Sequence, residues 1–179
     1  MDKHEFEQFV TEHGKDILRF CRMNAGSTER GNELYQDTMV KLLEKQKKLD
    51  AAQNIKSYAM QTAILLWKNK KKKYANRNRL IPMESMDAME HDKISELKEE
   101  SAPSPETCIL QADEKKMIQK IVADLPEKFR IPIHLYYSAD LSIQEIAEIL
   151  KIPEGTVKSR LNKARQLLKK ELEEIGYDR

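Results

Sequence analysis

The 179-residue sequence has few of the residues that shape tight turns or form disulfides: 5 Gly, 6 Pro and 2 Cys. With so little Gly and 35% charged residues, the composition favours a helix-rich protein over a sandwich or barrel. Cys21 and Cys108 form neither a CxxC pair nor a disulfide framework, and we expect ordinary semi-buried thiols. The 40% of hydrophobic residues is enough for one medium domain or two small ones.

Long apolar runs are also missing. The longest, AILLW at Ala63–Trp67, is too short to span a bilayer, and no signal-peptide pattern opens the chain. We therefore expect a soluble, cytoplasmic protein without membrane insertion. The four histidines have no metal-ligand spacing, and there is neither a Gly-rich phosphate loop nor a catalytic Ser/His/Asp pattern. The sequence predicts a protein that is not an enzyme, with no catalytic residue, metal, cofactor or small-molecule substrate.

Charge is nearly balanced overall but segregated along the chain. The net charge of +2 gives no overall sign of a nucleic-acid partner. Residues 68–79 carry seven Lys/Arg and no acid, whereas residues 84–106 carry eight Asp/Glu against two Lys. Residues 158–170 carry six Lys/Arg and no acid. Such blocks are more informative than the total and indicate local binding surfaces.

Apolar periodicity predicts helices in two groups separated by an acidic stretch. The first group spans about 6–23, 27–48 and 55–74, and the second begins at 117 and includes a helix at 127–137 that Pro132 should kink or shorten. Segment 81–105 breaks the pattern and ends in SAPSP, as a linker would. The predicted fold is all-α, with two small helical modules (1–79 and 106–179) joined by a flexible acidic linker at 80–105.

The stretch EIAEILKIPEGTVKSRLNKAR, residues 145–165, has the spacing of a helix-turn-helix. Ser142 and Glu145 form a capping-box pattern that starts the first helix. Pro153 can stand at the start of the second helix, where its missing N–H costs nothing. The second helix then has an apolar stripe made of Val157, Leu161, Ala164 and Leu168.

The face opposite that stripe is polar and basic. Small and amide side chains lie in its middle and cations lie on both shoulders, which suits a helix that reads base edges in the major groove while its shoulders hold phosphates. A solvated basic helix on a bundle is the plainer interpretation. The candidate DNA-binding residues are Thr156, Lys158, Ser159, Arg160, Asn162, Lys163 and Arg165.

Four segments, in order, resemble one protein family. LSIQEIAEILKIPEGTVKSRLNKARQLLKK resembles the −35-reading helix-turn-helix of extracytoplasmic-function (ECF) bacterial sigma factors, members of the sigma-70 superfamily. ADLPEKFRIPIHLYY resembles the segment that precedes this motif. GNELYQDTMVKLLEK resembles the family's polymerase-docking helix, and NIKSYAMQTAILLWKNKKKK lies where the family places its −10-reading helix. The resemblance implies a sigma2-like helical bundle followed by a sigma4-like helix-turn-helix domain.

The same resemblance implies partners and further site residues. Core RNA polymerase, through its β′ clamp helices and β flap, promoter DNA and an anti-sigma factor are the implied partners. Glu33, Gln36 and Asp37 would face the clamp helices. The −10 element would meet Asn54, Lys56, Ser57, Gln61 and Lys68, with the following lysines along phosphates.

The function implied is that of an alternative sigma factor that binds core polymerase and directs promoter-specific initiation from −10 and −35 elements. One alternative is a stand-alone helix-turn-helix regulator that binds duplex DNA without docking on polymerase. Another is a protein-interaction module that binds polymerase but not DNA.

The third predicted helix and the helix-turn-helix turn both depart from the family pattern. Ala63-Ile64-Leu65 replaces the usual Ala-Arg-Asn-like step, so Met60, Ile64 and Trp67 form a second apolar stripe opposite the predicted inward one. Either the helix is buried on both sides, or these side chains form a wedge at melted DNA. Lys151 stands in the turn where Gly is common, which predicts a non-Gly residue at positive φ. The predicted inward stripe is Ile55, Tyr58, Ala59, Thr62 and Leu66.

Overall fold

A computed structural model describes residues 2–46, 54–80 and 117–176, with side chains through residue 76 in the second range. The predicted linker, apart from Leu80, lies outside the described residues, as do residues 47–53 and Cys108. Every regular element of the described ranges is a helix, which confirms the all-α prediction. The helices are α1 (Lys3–Ala25), α2 (Thr28–Lys45), α3 (Ile55–Leu80), α4 (117–124), α5 (Glu127–Tyr137), α6 (Ile143–Leu150) and α7 (Glu154–Glu174).

The first three helices form a bundle. Asp2 caps α1 through a capping box with Glu5, and Gly26, at φ 74°, ends the helix in the left-handed conformation that glycine adopts without strain. The chain turns at once into α2, which packs tightly on α1. A Cβ on Gly31 would lie 2.3 Å from the Cα of Arg22, so only glycine permits this helix crossing.

Pro132 does not end α5. The helix spans Glu127–Tyr137 with Pro132 inside it, which are the bounds that the sequence predicted. The proline removes one backbone donor from the helix, and its side chain is fully buried. Burial of the apolar ring is favourable and works against the cost of the missing hydrogen bond.

Helix α3 differs from the sequence prediction in length and in its buried face. It extends six residues past Tyr74, because the basic stretch that follows holds neither Gly nor Pro. Of the predicted inward stripe only Ala59 is fully buried, whereas Ile55, Tyr58, Thr62 and Leu66 are only partly buried. The fully covered side chains of α3 are Ala59, Met60, Ala63, Ile64 and Trp67.

The reason for this shift is that α3 is covered from two sides. It packs on α1 and α2 in its own module, and on α6 of the C-terminal module. Helix α5 also approaches α1, so buried side chains of both modules form one continuous core. Of the two interpretations of the second apolar stripe, burial on both sides is the one that holds in this conformation.

Candidate nucleic-acid and polymerase interfaces

The helix-turn-helix forms as its local sequence predicts. Ser142 accepts the Glu145 N–H at 3.2 Å while the Glu145 carboxylate accepts the Ser142 N–H at 2.8 Å, which completes the capping box. Lys151 ends α6 at φ 55° and ψ 48°, confirming the predicted positive φ. In the turn the N–H of Ile152 reaches the Ala147 carbonyl at 3.1 Å, and Pro153 then precedes the first residue of α7. The turn thus fixes the angle at which α7 leaves the module.

Helix α7 presents its polar face to solvent. Of the predicted apolar stripe, Val157, Leu161 and Ala164 are fully buried and Leu168 is half-buried. On the other side Thr156 and Arg160 are half-buried and the remaining candidates are exposed: Lys158, Ser159, Asn162, Lys163 and Arg165. The structure therefore brings all seven candidate residues onto one accessible strip with cations on its shoulders.

Arg165 is held in place by a side chain that the sequence pattern did not predict. Its Nε donates to the Tyr137 hydroxyl at 2.9 Å, and its Nη1 donates to the Asn162 amide oxygen at 3.1 Å. The guanidinium also lies 5.9 Å and 5.8 Å from the ring centroids of Tyr136 and Tyr137. Restricting a long cation in this way lowers the entropy cost when it binds a phosphate. Only the tyrosine pair ending IHLYY could have indicated this interaction.

The candidate −10 residues divide into two groups on α3. Lys56 points to its own module, where its Nζ lies 2.9 Å from Asp16 of α1. Asn54, Ser57 and Gln61 instead face the C-terminal module, and Lys68 is exposed at the rim of a cleft next to Arg160. These four side chains share one edge of the helix, whereas Lys56 is separated from them.

Asn54 and Ser57 on this edge contact the carboxylate of Glu145, the residue that also completes the α6 capping box. Hydrogen bonds from Ser142 lower the pKa of the Glu145 carboxyl, and donors from Asn54 and Ser57 add to the effect. Its Oε2 accepts from Ser142, while its Oε1 accepts from the Asn54 amide and lies 3.5 Å from the Ser57 hydroxyl. The carboxylate thus links the start of α6 to the start of α3.

On α2, the candidate polymerase-binding residues form an exposed acidic surface that one lysine partly neutralises. Lys70 of α3 lies 2.9 Å from Glu33 and 2.8 Å from Asp37. Burial works against the charged ammonium, but the hydrogen bonds to Asp37 and Glu33 outweigh it and raise the pKa of Lys70. Gln36 and Val40 are exposed alongside. The surface therefore combines acid with an apolar side chain, and Lys70 connects it to α3.

The described ranges contain neither a metal-binding cluster nor a membrane-spanning helix. No group of three or more His, Cys, Asp or Glu side chains in these ranges is arranged to hold a metal ion. None of the helices in the described part of the chain is long and apolar enough to cross a membrane.

Two family profiles match the chain. Sigma-70 region 2 matches residues 9–77, and Sigma-70, region 4 matches residues 115–168. The first match spans most of the α1–α3 bundle, and the second contains the helix-turn-helix.

Curated relatives carry ECF sigma-factor names. The chain is 41% identical over 71 residues to the ECF RNA polymerase sigma factor SigW of Bacillus subtilis, covering 40% of this chain and 38% of the relative. It is 27% identical over 136 residues to the ECF RNA polymerase sigma-E factor of Haemophilus influenzae, covering 71% of each. For the Escherichia coli K12 sigma-E factor, identity is 34% over 95 residues, 51% of this chain and 49% of the relative.

Two solved structures share the fold. The Bartonella quintana sigma factor RpoE, solved in complex with the anti-sigma factor NepR, matches with a TM-score of 0.76 at 18% identity, covering 98% of this chain and 99% of that one. CnrH, solved with the cytosolic domain of CnrY, matches with a TM-score of 0.63 at 16% identity, covering 96% and 90%. Region 2 and region 4 thus follow one another in one chain, which shares its fold with the two solved structures. The chain belongs to the ECF group of the sigma-70 family.

Proposed function

We propose that this chain is an alternative sigma factor that binds core RNA polymerase and directs initiation at promoters with −10 and −35 elements. The observation that carries the proposal is the accessible polar strip of α7, positioned by the Lys151 turn within the part of the chain that matches region 4. The polymerase would perform RNA synthesis, so this chain would supply specificity and not catalysis. It would act in the cytoplasm, with its target polymerase.

The −35 element is assigned to α7. Asn162 and Lys163 lie at the exposed centre of the strip, where amide and ammonium groups can hydrogen-bond base edges in the major groove. Arg165 lies on one shoulder, restrained by Tyr137, in a position that suits a phosphate. The domain that presents this strip would span residues 106–179.

The −10 element and the polymerase clamp are assigned to the N-terminal domain, residues 1–79, with residues 80–105 as the tether. Asn54, Ser57, Gln61 and Lys68 share one edge of α3 and would meet the opened strand. Glu33, Gln36 and Asp37 would dock on the clamp helices. Lys56 contributes less directly, because Asp16 already holds its ammonium.

An anti-sigma factor is a further proposed partner. RpoE and CnrH, which share this fold, were solved in complexes with NepR, an anti-sigma factor, and with the cytosolic domain of CnrY. A partner of this kind would bind the chain when initiation is not required.

The test of the −35 assignment is the double substitution Arg160→Ala and Lys163→Ala. Removing a side chain that hydrogen-bonds a base should cost roughly 1–3 kcal/mol at one −35 position, measured as the affinity of the holoenzyme for promoters varied base by base. Lys169→Ala is the control, because this exposed lysine lies on the same helix outside the candidate strip and forms an ion pair with Glu173 at 3.5 Å. Unchanged promoter selection by the double variant would contradict the proposal.

Measuring how the chain binds promoter DNA with and without core polymerase distinguishes the proposed function from its two alternatives. The sigma-factor function predicts tight, specific promoter binding only together with core enzyme. Tight, specific binding by the free chain would favour a stand-alone regulator. Binding to core enzyme without any effect on promoter choice would favour a protein-interaction module.

A further inference from the structure

The side-chain amide of Asn162, at the exposed centre of the α7 strip, is held by a neighbour on the same helix. Nη1 of Arg165 donates a hydrogen bond to the Asn162 Oδ1 at 3.1 Å. A guanidinium has five N–H donors and no acceptor, so the amide must turn its oxygen, and not its nitrogen, toward Arg165. An amide flipped end over end would bring two donors face to face. The orientation of the Asn162 amide is therefore fixed.

Arg165 is in turn restrained from the end of α5. Its Nε donates to the Tyr137 hydroxyl at 2.9 Å, and the guanidinium lies 5.9 Å and 5.8 Å from the ring centroids of Tyr136 and Tyr137. A guanidinium that is already ordered loses less entropy when it also binds the amide. The hydrogen bond to Asn162 is exposed in the free chain, and exclusion of water at a DNA interface strengthens it. The two tyrosines therefore support the amide through Arg165.

The fixed amide offers DNA different groups from those of a free one. A free asparagine pairs with adenine through both ends of its amide, since adenine presents a donor and an acceptor in the major groove. Here Oδ1 already accepts from a cation, and a base N–H that approached the same oxygen would lie beside the positive guanidinium. The Nδ2 group, in contrast, carries two donors. The amide therefore acts on a base mainly as a donor.

We propose that Arg165 is a positioning residue that makes Asn162 a hydrogen-bond donor in −35 recognition, so that the chain prefers guanine at the base that Asn162 contacts. Guanine presents two acceptors, N7 and O6, in the major groove. Cytosine presents a donor there and is disfavoured most, and adenine loses the bidentate pair that a free amide forms. This inference rests on the proposed sigma-factor function and names the base specificity of its −35 strip.

The test measures the affinity of the holoenzyme for a promoter that the wild-type chain uses, with each −35 base pair replaced by the other three. The position that Asn162 contacts is the one at which Asn162→Ala loses its base preference. There we expect the wild type to prefer the pair that contains guanine, by at least about fivefold over the same pair inverted. Asn162→Asp should invert the preferred pair, because a carboxylate only accepts hydrogen bonds and favours cytosine.

Arg165→Met tests the positioning role. Loss of the cation should lower the affinity for all −35 variants alike, whereas release of the amide should lower the guanine-to-adenine ratio about threefold or more. Lys169→Met is the control, because it removes the same charge from α7 at an exposed position outside the strip, and it should keep the wild-type ratio. Each preference is a ratio within one protein, so a variant that folds less well still reports it.

Three results would overturn the inference. They are a wild-type preference for an A·T pair at this position, a guanine-to-adenine ratio that Arg165→Met leaves unchanged, and base preferences that Asn162→Ala alters at no −35 position. None of them contradicts the proposed function, which fails separately if the wild-type chain with core polymerase gives no promoter-specific transcript.

Discussion

Replacing Lys151 by glycine should stabilise the protein without changing what it binds. Lys151 occupies the left-handed region, at φ 55° and ψ 48°, where a side chain with a Cβ costs about 1–2 kcal/mol relative to the right-handed helix. Its own side chain is exposed, so its removal sacrifices little packing. Glycine loses more backbone entropy on folding, about 0.4–1 kcal/mol. The net expected gain is about 0.5–1 kcal/mol.

This gain corresponds to a rise in Tm of about 1–4 °C for a chain of this size. The assay is thermal and urea unfolding of the wild-type, Lys151→Gly and Lys151→Ala proteins, followed by circular dichroism. The alanine variant is the control, because it keeps the Cβ and hence the strain, and it should unfold close to the wild type. If the Lys151→Gly protein is no more stable than the Lys151→Ala protein, the positive φ of this turn does not destabilise the wild-type chain.

Three further predictions concern single residues. Burial lowers the pKa of His134 from 6.5 to about 3. Below pH 6.5 the imidazole is therefore protonated in the unfolded chain but stays neutral in the folded chain, and the free energy of unfolding should fall as the pH drops. The expected loss is about 2 kcal/mol at pH 5, measured by urea unfolding, and a His134→Leu protein should lose that much less between pH 7 and 5. Gly31→Ala should destabilise the N-terminal bundle by about 1–3 kcal/mol or more, because the alanine Cβ would collide with the backbone of Arg22. An unchanged urea-unfolding midpoint would show that α1 and α2 do not pack this closely. Tyr137→Phe should leave stability unchanged but weaken −35 binding a few-fold by releasing Arg165, and an Arg165→Ala background should abolish that difference.

The helix-turn-helix is the part of the protein that local sequence determines most completely. The capping box at Ser142, the positive φ of Lys151 and the buried stripe of α7 were all predictable, because each depends on residues a few positions apart. The exposure of the α7 strip followed from the same periodicity. The side chains of the strip also predicted DNA binding in the major groove, whereas the promoter −35 element as the target came from the family resemblance.

Features that depend on contacts between distant segments could not be predicted. The sequence left open whether α3 is buried on both sides, because helical periodicity identifies apolar faces but not which neighbour covers each one. Once α6 is placed against α3, Met60 and Ile64 become core residues. Pro132 lies inside α5 without ending it, and whether a proline is tolerated there depends on packing that a local rule cannot give. Lys70 was expected along phosphates, but its ion pairs with α2 require the bundle to be known.

The central claim is that this chain directs core RNA polymerase to specific promoters, and run-off transcription measures it most directly. Core enzyme, the purified chain and a template carrying the promoter of the chain's own gene should yield a discrete transcript. That transcript should vanish without the chain and diminish when the −35 or −10 element is altered. A reaction that gives no specific initiation on this or any other candidate promoter, although the chain is folded and the polymerase is active with another sigma factor, would contradict the account.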